Sequence, residues 1–251
     1  MPKARTRVLV LGGTGEGREI AARLADSVDL EAVTSLAGRV RDPRWPEGEV
    51  RVGGFGGADG LAQWLAENDI RALLDATHPF ASRITANAYL AARTCAIPFA
   101  VCQRPSWEQH PQDRWFPARD LSQAAEVVPA LGTRAFLTIG RQGVSAFAGV
   151  GGVKFLVRSI DPPTGAMPAS HELILARGPF DVESERELMR RHNIDVVVTK
   201  SSGGDQTYAK LVAARQLGLP VIVVARPPAP AGVDSFDSPA AAVAWLESTL
   251  A

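Results

Sequence analysis

The stretch Val8-Leu9-Val10-Leu11-Gly12-Gly13-Thr14-Gly15-Glu16-Gly17 joins an apolar run of β type to a glycine-rich loop. After the loop, Ile20 and Leu24 stand four residues apart, as on the buried face of a helix. A glycine loop between a strand and a helix is the setting of a dinucleotide site. There, backbone amides approach a pyrophosphate and the helix N-terminus favours its negative charge. The stretch therefore predicts an α/β fold whose sheet carries binding loops.

The same order of apolar strand, polar or glycine-rich loop and helix recurs three times along the chain. The three later loops are residues 76–81, 140–143 and 200–204. Ligands of open parallel sheets bind at the carboxyl ends of the strands, where such loops converge. Because two of the four loops lie in each half of the chain, we predict two Rossmann-like parallel-sheet domains with the active site in the cleft between them. This arrangement favours an enzyme over a scaffold.

The composition excludes several classes of protein. The chain has 251 residues, of which 46% are hydrophobic and 22% are charged, as in ordinary globular proteins. Basic and acidic residues balance at 27 each, so the chain lacks the basic surface that general nucleic-acid binding needs. No run approaches the roughly 20 apolar residues of a membrane span. The apolar run at 8–11 is also too short for a signal peptide, so we expect a cytoplasmic protein without membrane contact.

The cysteines and histidines do not have the spacing of metal ligands. Cys95 and Cys102 fall in a predicted helix and a predicted strand, and we interpret them as small core side chains. We therefore expect no metal site.

The end of the second predicted strand distinguishes between the two nicotinamide cofactors. An NAD site usually has a carboxylate there, which binds the ribose 2′-hydroxyl. This chain has Thr34-Ser35-Leu36-Ala37-Gly38-Arg39 instead, and a hydroxyl beside a guanidinium suits a 2′-phosphate. We therefore predict NADPH/NADP as the cofactor. The predicted cofactor-binding residues are Gly12, Gly13, Thr14, Gly15, Glu16, Ser35, Gly38, Arg39 and Thr77.

Two alternatives remain open for this site. The glycine spacing is not a strict G-x-G-x-x-G, so a tight turn without a ligand is the alternative for the loop. For Arg39 the alternative is a solvated loop charge.

The loops at 76–81 and 200–204 contain two residues suited to catalysis. His78 precedes a proline at a predicted helix start and can shuttle a proton near neutral pH, or it can serve only as a helix cap. Lys200 ends a strand and is followed by serines and glycines. A cation beside hydroxyls and backbone amides is suited to holding carboxylates.

These segments together resemble the precorrin-6A reductase family, the NADPH-dependent reductases of cobalamin biosynthesis. The matching segments are LGGTGEGRE at 11–19, SLAGR at 35–39, Gly53-Gly54, DATHPFA at 75–81 with Asn87, QRPSW at 103–107, TIG at 138–140, RGPF at 177–180, and TKSSGG at 199–204 with residues 208–210. They span almost the whole chain. The one departure noted is Gly15, where the family often has Thr or Ser before the glutamate.

The resemblance implies reduction of one carbon–carbon double bond in the macrocycle of precorrin-6A, giving precorrin-6B. Such a tetrapyrrole-derived substrate carries many carboxylates at its rim and is apolar across its face. Lys200 and His78 are the candidate catalytic residues, with bulk water as an alternative proton donor. The candidate substrate-binding residues are Arg104, Arg141, Arg158, Ser201, Ser202, Gly203, Gly204, Tyr208 and Lys210. Trp107 and Phe80 are candidate walls, although Trp107 is equally suited to filling the core.

Some questions stay open at this point, and two other functions compete. The sequence does not distinguish a metal-free from a cobalt-containing macrocycle. Besides the substrate, the expected partners are neighbouring pathway enzymes, in transient contact. A short-chain-type carbonyl reductase needs a Tyr-x-x-x-Lys pair, and this chain lacks it. Lys210 lies only two residues after Tyr208, and the residue four positions after Tyr89 is Arg93. A non-enzymatic NADP-sensing regulator would show an exposed apolar patch and would not need cations on the later loops.

The predicted domain boundaries follow the change in composition. Residues 103–119 contain three prolines and two tryptophans without periodicity, which marks a crossover. We predict an N-terminal NADP-binding domain at 1–103, a crossover at 104–119 and a C-terminal substrate-binding domain at 120–251.

Overall fold

A computed structural model describes residues 5–38 and 44–251, and it divides into two compact units. The first unit comprises Met1–Pro105 and Pro227–Ala251, and the second comprises Ser106–Arg226. Each unit holds one sheet of six strands with α-helices packed against it, and all strand pairs in both sheets are parallel. The prediction of two parallel-sheet α/β domains is confirmed.

The first unit has six strands and four α-helices among its described residues. They are β1 (Thr6–Leu11), α1 (Gly15–Ala25), β2 (Leu30–Leu36), β3 (Glu49–Val52), α2 (Ala58–Glu67), β4 (Ala72–Asp75), α3 (Ser82–Thr94) and β5 (Phe99–Cys102), and from the chain end β12 (Asp234–Phe236) and α7 (Pro239–Leu250). The strand order is β12-β5-β4-β1-β2-β3.

The second unit repeats this plan. Its elements are β6 (Arg114–Ala118), α4 (Leu121–Leu131), β7 (Arg134–Thr138), β8 (Lys154–Ser159), β9 (His171–Leu175), α5 (Val182–Arg191), β10 (Val196–Lys200), α6 (Ala209–Gln216) and β11 (Pro220–Val224), with 3₁₀ turns at Val144–Phe147 and Asp205–Thr207. The strand order is β6-β11-β10-β7-β8-β9.

Central strands are apolar along their whole length because helices cover both faces of each sheet. Val8, Leu9 and Val10 of β1 are fully buried, and so are Val196, Val197 and Val198 of β10, all at 0% exposure. Within residues 5–38 and 44–251, no helix combines the length and the apolar character that crossing a bilayer requires.

The structure corrects the predicted domain boundaries at two places. The C-terminal segment from residue 227 onward belongs to the first unit, since β12 pairs with β5 and α7 packs on α1. The predicted crossover contains β6, which pairs with β11 at the edge of the second sheet. The two sheets thus exchange their sixth strands. β6 follows β5 along the chain but joins the sheet formed by β7–β11, and β12 follows β11 but joins the sheet formed by β1–β5. The sequence gives no signal of this exchange, because a three-residue strand and an alanine-rich helix suit either sheet.

The exchange makes α7 part of the first core. Leu246 is fully buried in a cluster with Val8, Val10 and Ile20. Leu246→Ala is therefore expected to lower the free energy of unfolding by about 2–5 kcal/mol. Hydrogen exchange should show the loss of protection in β1 and β4 and not in β7 or β10.

The control for this variant is Leu90→Ala, at a side chain that is 52% exposed on α3. It should change the free energy of unfolding by less than about 0.5 kcal/mol. Protection lost first in β7 and β10 of Leu246→Ala would contradict the assignment of α7 to the first unit.

Candidate functional site

The predicted site loops lie at the point where the strand order of each sheet reverses direction. In the first sheet this point lies between β1 and β4, whose last residues Leu11 and Asp75 pair with each other. In the second sheet it lies between β7 and β10, where Thr138 pairs with Thr199. Open α/β sheets bind ligands outside the carboxyl ends of strands at these switch points. The four loops therefore form two candidate sites, one in each unit.

The glycine loop after β1 is built for close packing. A Cβ at Gly12 would stand 2.9 Å from Thr34 Cγ2, and one at Gly17 would stand 3.1 Å from the Cα of Gly12. Gly13 has a φ of +114° with open space where a side chain would be. Gly12 and Gly17 thus take the first and third glycine positions of the dinucleotide fingerprint.

Thr14 stands at the fingerprint's second position and acts as the N-cap of α1. Its hydroxyl accepts a hydrogen bond from the Gly17 amide at 3.1 Å and donates to the Ala76 carbonyl at 2.7 Å. Thr14 therefore joins the loop after β1 to the loop after β4.

Glu16 and Arg104 form an ion pair at the start of α1. Arg104 Nη1 lies 2.8 Å from Glu16 Oε2, and both side chains are about four-fifths buried. The N-terminus of α1 attracts anions, and the negative charge of Glu16 opposes that attraction. The positive charge of Arg104 offsets the charge of Glu16. The structure thus places Arg104 with the predicted cofactor residues and not with the predicted substrate residues of the second unit.

The predicted 2′-phosphate site is described only in part, since Arg39 lies outside the described residues. Ser35 is 5% exposed within β2, so its side chain is largely withdrawn from solvent, whereas Gly38 is exposed beyond the strand. Arg51 on the neighbouring β3 was not predicted. Its guanidinium donates to the carbonyls of Gly53 and Gly54 and lies 3.8 Å from the Phe55 ring centre.

The loop after β4 is held by a buried carboxylate. Asp75 Oδ1 accepts from the Thr77 amide at 2.9 Å and from the Thr77 hydroxyl at 2.6 Å. Burial raises the pKa of Asp75, and the hydrogen bonds from Thr77 oppose that shift. His78 is exposed just beyond, and its Nδ1 accepts from the Phe80 amide at 3.2 Å. In neutral His78 this bond leaves the proton on Nε2, which faces away from the backbone partner.

Lys200 ends β10 and is half-buried, and burial lowers the pKa of its ammonium. The sequence places backbone amides after Lys200 as groups suited to holding carboxylates, but two of these amides are engaged within the protein. The Ser201 amide donates to the Val224 carbonyl at 2.9 Å, and the Ser202 amide donates to the Lys200 carbonyl at 2.7 Å. Arg226 Nε also donates to the Ser201 carbonyl at 2.6 Å. These bonds fix the first half of the loop.

The second half of the loop packs against Trp107. The indole Nε1 donates to the Gly204 carbonyl at 2.8 Å, and the Tyr208 ring lies 6.2 Å from the indole. Gly203 and Gly204 both have positive φ values, +68° and +73°, which a side chain would strain. Trp107 therefore fills the core beneath this loop.

Two of the predicted substrate cations are buried, which corrects their assignment as direct ligands. Arg158 is 8% exposed, pairs with Glu185 at 2.7 Å, and has its guanidinium carbon 3.7 Å from the Phe180 ring centre and 4.8 Å from that of Phe136. Lys210 is 3% exposed and donates to the Thr207 carbonyl at 2.6 Å. Burial and the nearby charge of Arg158 lower the pKa of Lys210 to about 7, with Glu185 opposing the shift. Lys210 lies on the buried face of α6, and Arg158 lies in β8, which is buried from its second residue onward.

The remaining features lie at different places in the second unit. Arg141 is half-buried after β7, with its Nη1 3.7 Å from Asp161 Oδ2. A cavity of about 240 Å³ lies at the opposite, amino-terminal edge of the sheet, lined by Arg134, Lys154, Glu172, Arg191, His192 and three apolar neighbours. It contains none of the predicted site residues.

The cysteines have the predicted core role. Cys102 is 1% exposed, and burial raises its thiol pKa to about 12. Cys95 packs against the cluster around Leu61 and Leu65. In the part of the chain that the structure describes, no three histidine, cysteine or acidic side chains form a group that could hold a metal ion.

Several contributing residues had no signal in the sequence. Arg226 and the pair Asp113–Arg215 hold loops through contacts between segments that are distant in sequence, whereas Arg51 holds the loop that directly follows it. None of these residues lies in a recognised spacing. Asp75 lies inside the DATHPFA segment, so its burial beneath the loop could have been inferred from its place at the end of an apolar strand.

Comparisons with known proteins agree with this architecture. The family described as "Precorrin-6x reductase CbiJ/CobK" matches residues 7–247. A precorrin-6A reductase from Rhodococcus erythropolis is 58% identical over 96% of this chain and 97% of its own length. One from Mycobacterium tuberculosis is 47% identical over 96% and 97%. The solved structure "CobK precorrin-6A reductase" superposes with a TM-score of 0.89 at 40% identity and covers 97% of both chains. The chain therefore belongs to the precorrin-6x reductase family.

Proposed function

We propose that this reductase uses NADPH to reduce one carbon–carbon double bond of metal-free precorrin-6A. The observation that supports the proposal most is the pairing of two loops at the switch point of the first sheet, in a chain that matches the family over residues 7–247. Such loops are where α/β proteins bind dinucleotides. The family's reductase chemistry requires a reductant at this kind of site.

The first unit fits a dinucleotide. Open space above Gly13 lets the backbone come close to a pyrophosphate, and the N-terminus of α1 favours its charge. Glu16 is paired with Arg104, so its carboxylate is offset. We assign Gly38 and Arg39 to the 2′-phosphate, because residues 34–39 contain no carboxylate.

Bound NADPH supplies a hydride to one carbon of the double bond, and the neighbouring carbon takes a proton. The π bond is lost, two C–H bonds form, and the macrocycle gains two electrons. His78 and Lys200 can each hold the proton. His78 has a proton on Nε2 when neutral, and the lowered pKa of Lys200 makes its ammonium a readier acid.

The substrate's carboxylates need cations at the carboxyl edge of the second sheet. Lys200 and Arg141 are half-buried cations at that edge, after the ends of the adjacent strands β10 and β7. An ammonium in a partly desolvated site attracts a carboxylate more strongly than one in water. We assign these two side chains to the substrate rim.

We propose the metal-free macrocycle because this chain is more similar to the precorrin-6A reductases than to a cobalt-precorrin-6A reductase. The relatives called precorrin-6A reductase are 58% and 47% identical to this chain, whereas cobalt-precorrin-6A reductase from Salmonella typhimurium is 31% identical over 97% of both chains. NADPH oxidation is therefore expected to be at least tenfold faster with metal-free than with cobalt-containing precorrin-6A. Equal rates with the two substrates would contradict this assignment.

NADPH should be preferred over NADH by at least tenfold in kcat/KM, which corresponds to about 1.4 kcal/mol and is within reach of one charge-assisted contact. Arg39→Ala should raise the KM for NADPH and leave the KM for NADH nearly unchanged. Arg71→Ala is the matched control, because Arg71 directly precedes β4, at the opposite edge of the same sheet. Equal use of both cofactors by the unchanged protein would refute the cofactor assignment.

Lys200→Ala should lower kcat/KM for precorrin-6A by roughly 30-fold or more, because truncating a charge that pairs with a desolvated partner typically costs about 2–5 kcal/mol. Lys154→Ala, at an exposed lysine that begins β8, should leave it unchanged. If Lys200→Ala keeps near-normal kcat/KM, the loop after β10 does not hold the substrate.

His78→Ala separates a proton donor from a helix cap. Loss of kcat with an unchanged melting temperature indicates proton transfer, since the exposed ring contributes little to packing. A lower melting temperature with normal kcat indicates that His78 only orders the start of α3.

A further inference from the structure

The loop between β10 and α6 is attached to the rest of its unit at both ends. At its start, Ser201 is held by the Val224 carbonyl and by Arg226. At its far end, the attachments come from Trp107 and Lys210, which are 103 positions apart in sequence. The loop backbone contributes glycines with positive φ and a short 3₁₀ turn, so its shape depends on these outside contacts.

Trp107 makes the first of the far-end contacts. Its indole N–H donates to the Gly204 carbonyl, and its ring packs on Tyr208. Asp113 follows Trp107 in the same segment and pairs with Arg215 of α6, with Arg215 Nε 2.7 Å from Asp113 Oδ1. This pair holds the segment against α6. Asp113 is nearly fully buried in this pair, which makes the attachment geometrically specific.

Lys210 makes the second far-end contact. Its ammonium donates to the Thr207 carbonyl at 2.6 Å and lies 5.0 Å from the centre of the Trp107 ring. One side chain thus contacts both the turn that ends the loop and the aromatic residue that holds the loop's middle. At 3% exposure, it is poorly placed to reach a large macrocycle.

We propose that Lys210 and Trp107 are positioning residues that together fix the loop 201–207, so that Lys200 and the loop can receive the carboxylates of the substrate. We call Trp107, Gly204, Thr207 and Lys210 the loop latch. The inference rests on the proposed function for its catalytic consequence. The latch itself is a property of the second unit alone.

The latch can be tested without substrate. Hydrogen exchange of the peptide covering 201–208 should become at least tenfold faster in Lys210→Met and in Trp107→Phe, since each removes one attachment of the loop. Trp115→Phe is the matched control, because the Trp115 indole N–H is buried without a hydrogen-bond partner among the described residues. Unchanged exchange at 201–208 in Trp107→Phe would overturn the latch.

The catalytic consequence is read from steady-state kinetics. Lys210→Met and Trp107→Phe should each raise the KM for precorrin-6A about tenfold, with kcat changed less than threefold and the KM for NADPH unchanged. The double variant should be no worse than the poorer single variant within threefold, because the two residues fix one loop. Multiplicative effects in the double variant, or an unchanged substrate KM in Trp107→Phe, would overturn the positioning role.

The protonation of Lys210 gives an independent readout. Its ammonium faces Arg158 on β8, Glu185 on α5 and the Trp107 ring. Its pKa of about 7 lies below the value of 10.5 for an exposed lysine, so between these pH values the unfolded chain binds more protons than the folded chain. The free energy of unfolding of the wild type relative to Lys210→Met should therefore rise with pH from about 7 to about 10. A difference that is constant over this range would show that Lys210 is not buried in the latch.

The wild-type protein separates the two levels of the inference. If it fails to oxidise NADPH with precorrin-6A, the proposed function is wrong, and the hydrogen-exchange comparison still decides whether the latch exists. If the wild type is active and the exchange is unchanged in Trp107→Phe, the latch alone is wrong.

Discussion

The hydroxyl of Thr14 links the two loops on which the account of the first unit depends. It donates to the Ala76 carbonyl and accepts from the Gly17 amide, so one side chain both caps α1 and ties it to the loop after β4. Because Thr14 is 8% exposed, this link is protected from competing water. The glycine loop therefore keeps its shape while its exposed Gly13 leaves the backbone open to a ligand. A parallel sheet alone brings strand ends together, but it does not fix the loops that leave them.

The second unit meets the same requirement in a different way. Its loop after β10 has no equivalent of Thr14 among the contacts described. It is held by Trp107 and Arg226 from segments distant in sequence and by Lys210 from the first turn of α6. Two of these are cations with hydrogen bonds to loop carbonyls, which are short and strong because the donor is charged. A buried lysine is an unusual choice, because desolvation disfavours its charge. Such a contact is sensitive to conditions in a way that a hydroxyl is not.

The sequence predicted those parts of the structure that follow local rules. The apolar runs of β1, β4, β7 and β10 with the loops after them could be placed because strand ends and glycine loops are local patterns. The exchange of β6 and β12 could not be predicted, because pairing between strands distant in sequence has no local signature. Candidate cations were chosen by residue type, and the structure separates them. Lys200 and Arg141 lie at strand ends, whereas Arg158 is buried in a pair with Glu185 of α5 and Lys210 lies on the buried face of α6.

The most direct test of the central claim follows the hydrogen that the cofactor would donate. Precorrin-6A is incubated with the protein and with NADPH that carries deuterium at the reactive C4 position, and the mass of the product is measured by mass spectrometry. Our account predicts a product with one deuterium from the cofactor and one hydrogen from water at the neighbouring carbon. Deuterium incorporation should stop when NADPH is omitted. A reduced product without deuterium from either C4 epimer would contradict the assignment of this protein as an NADPH-dependent reductase.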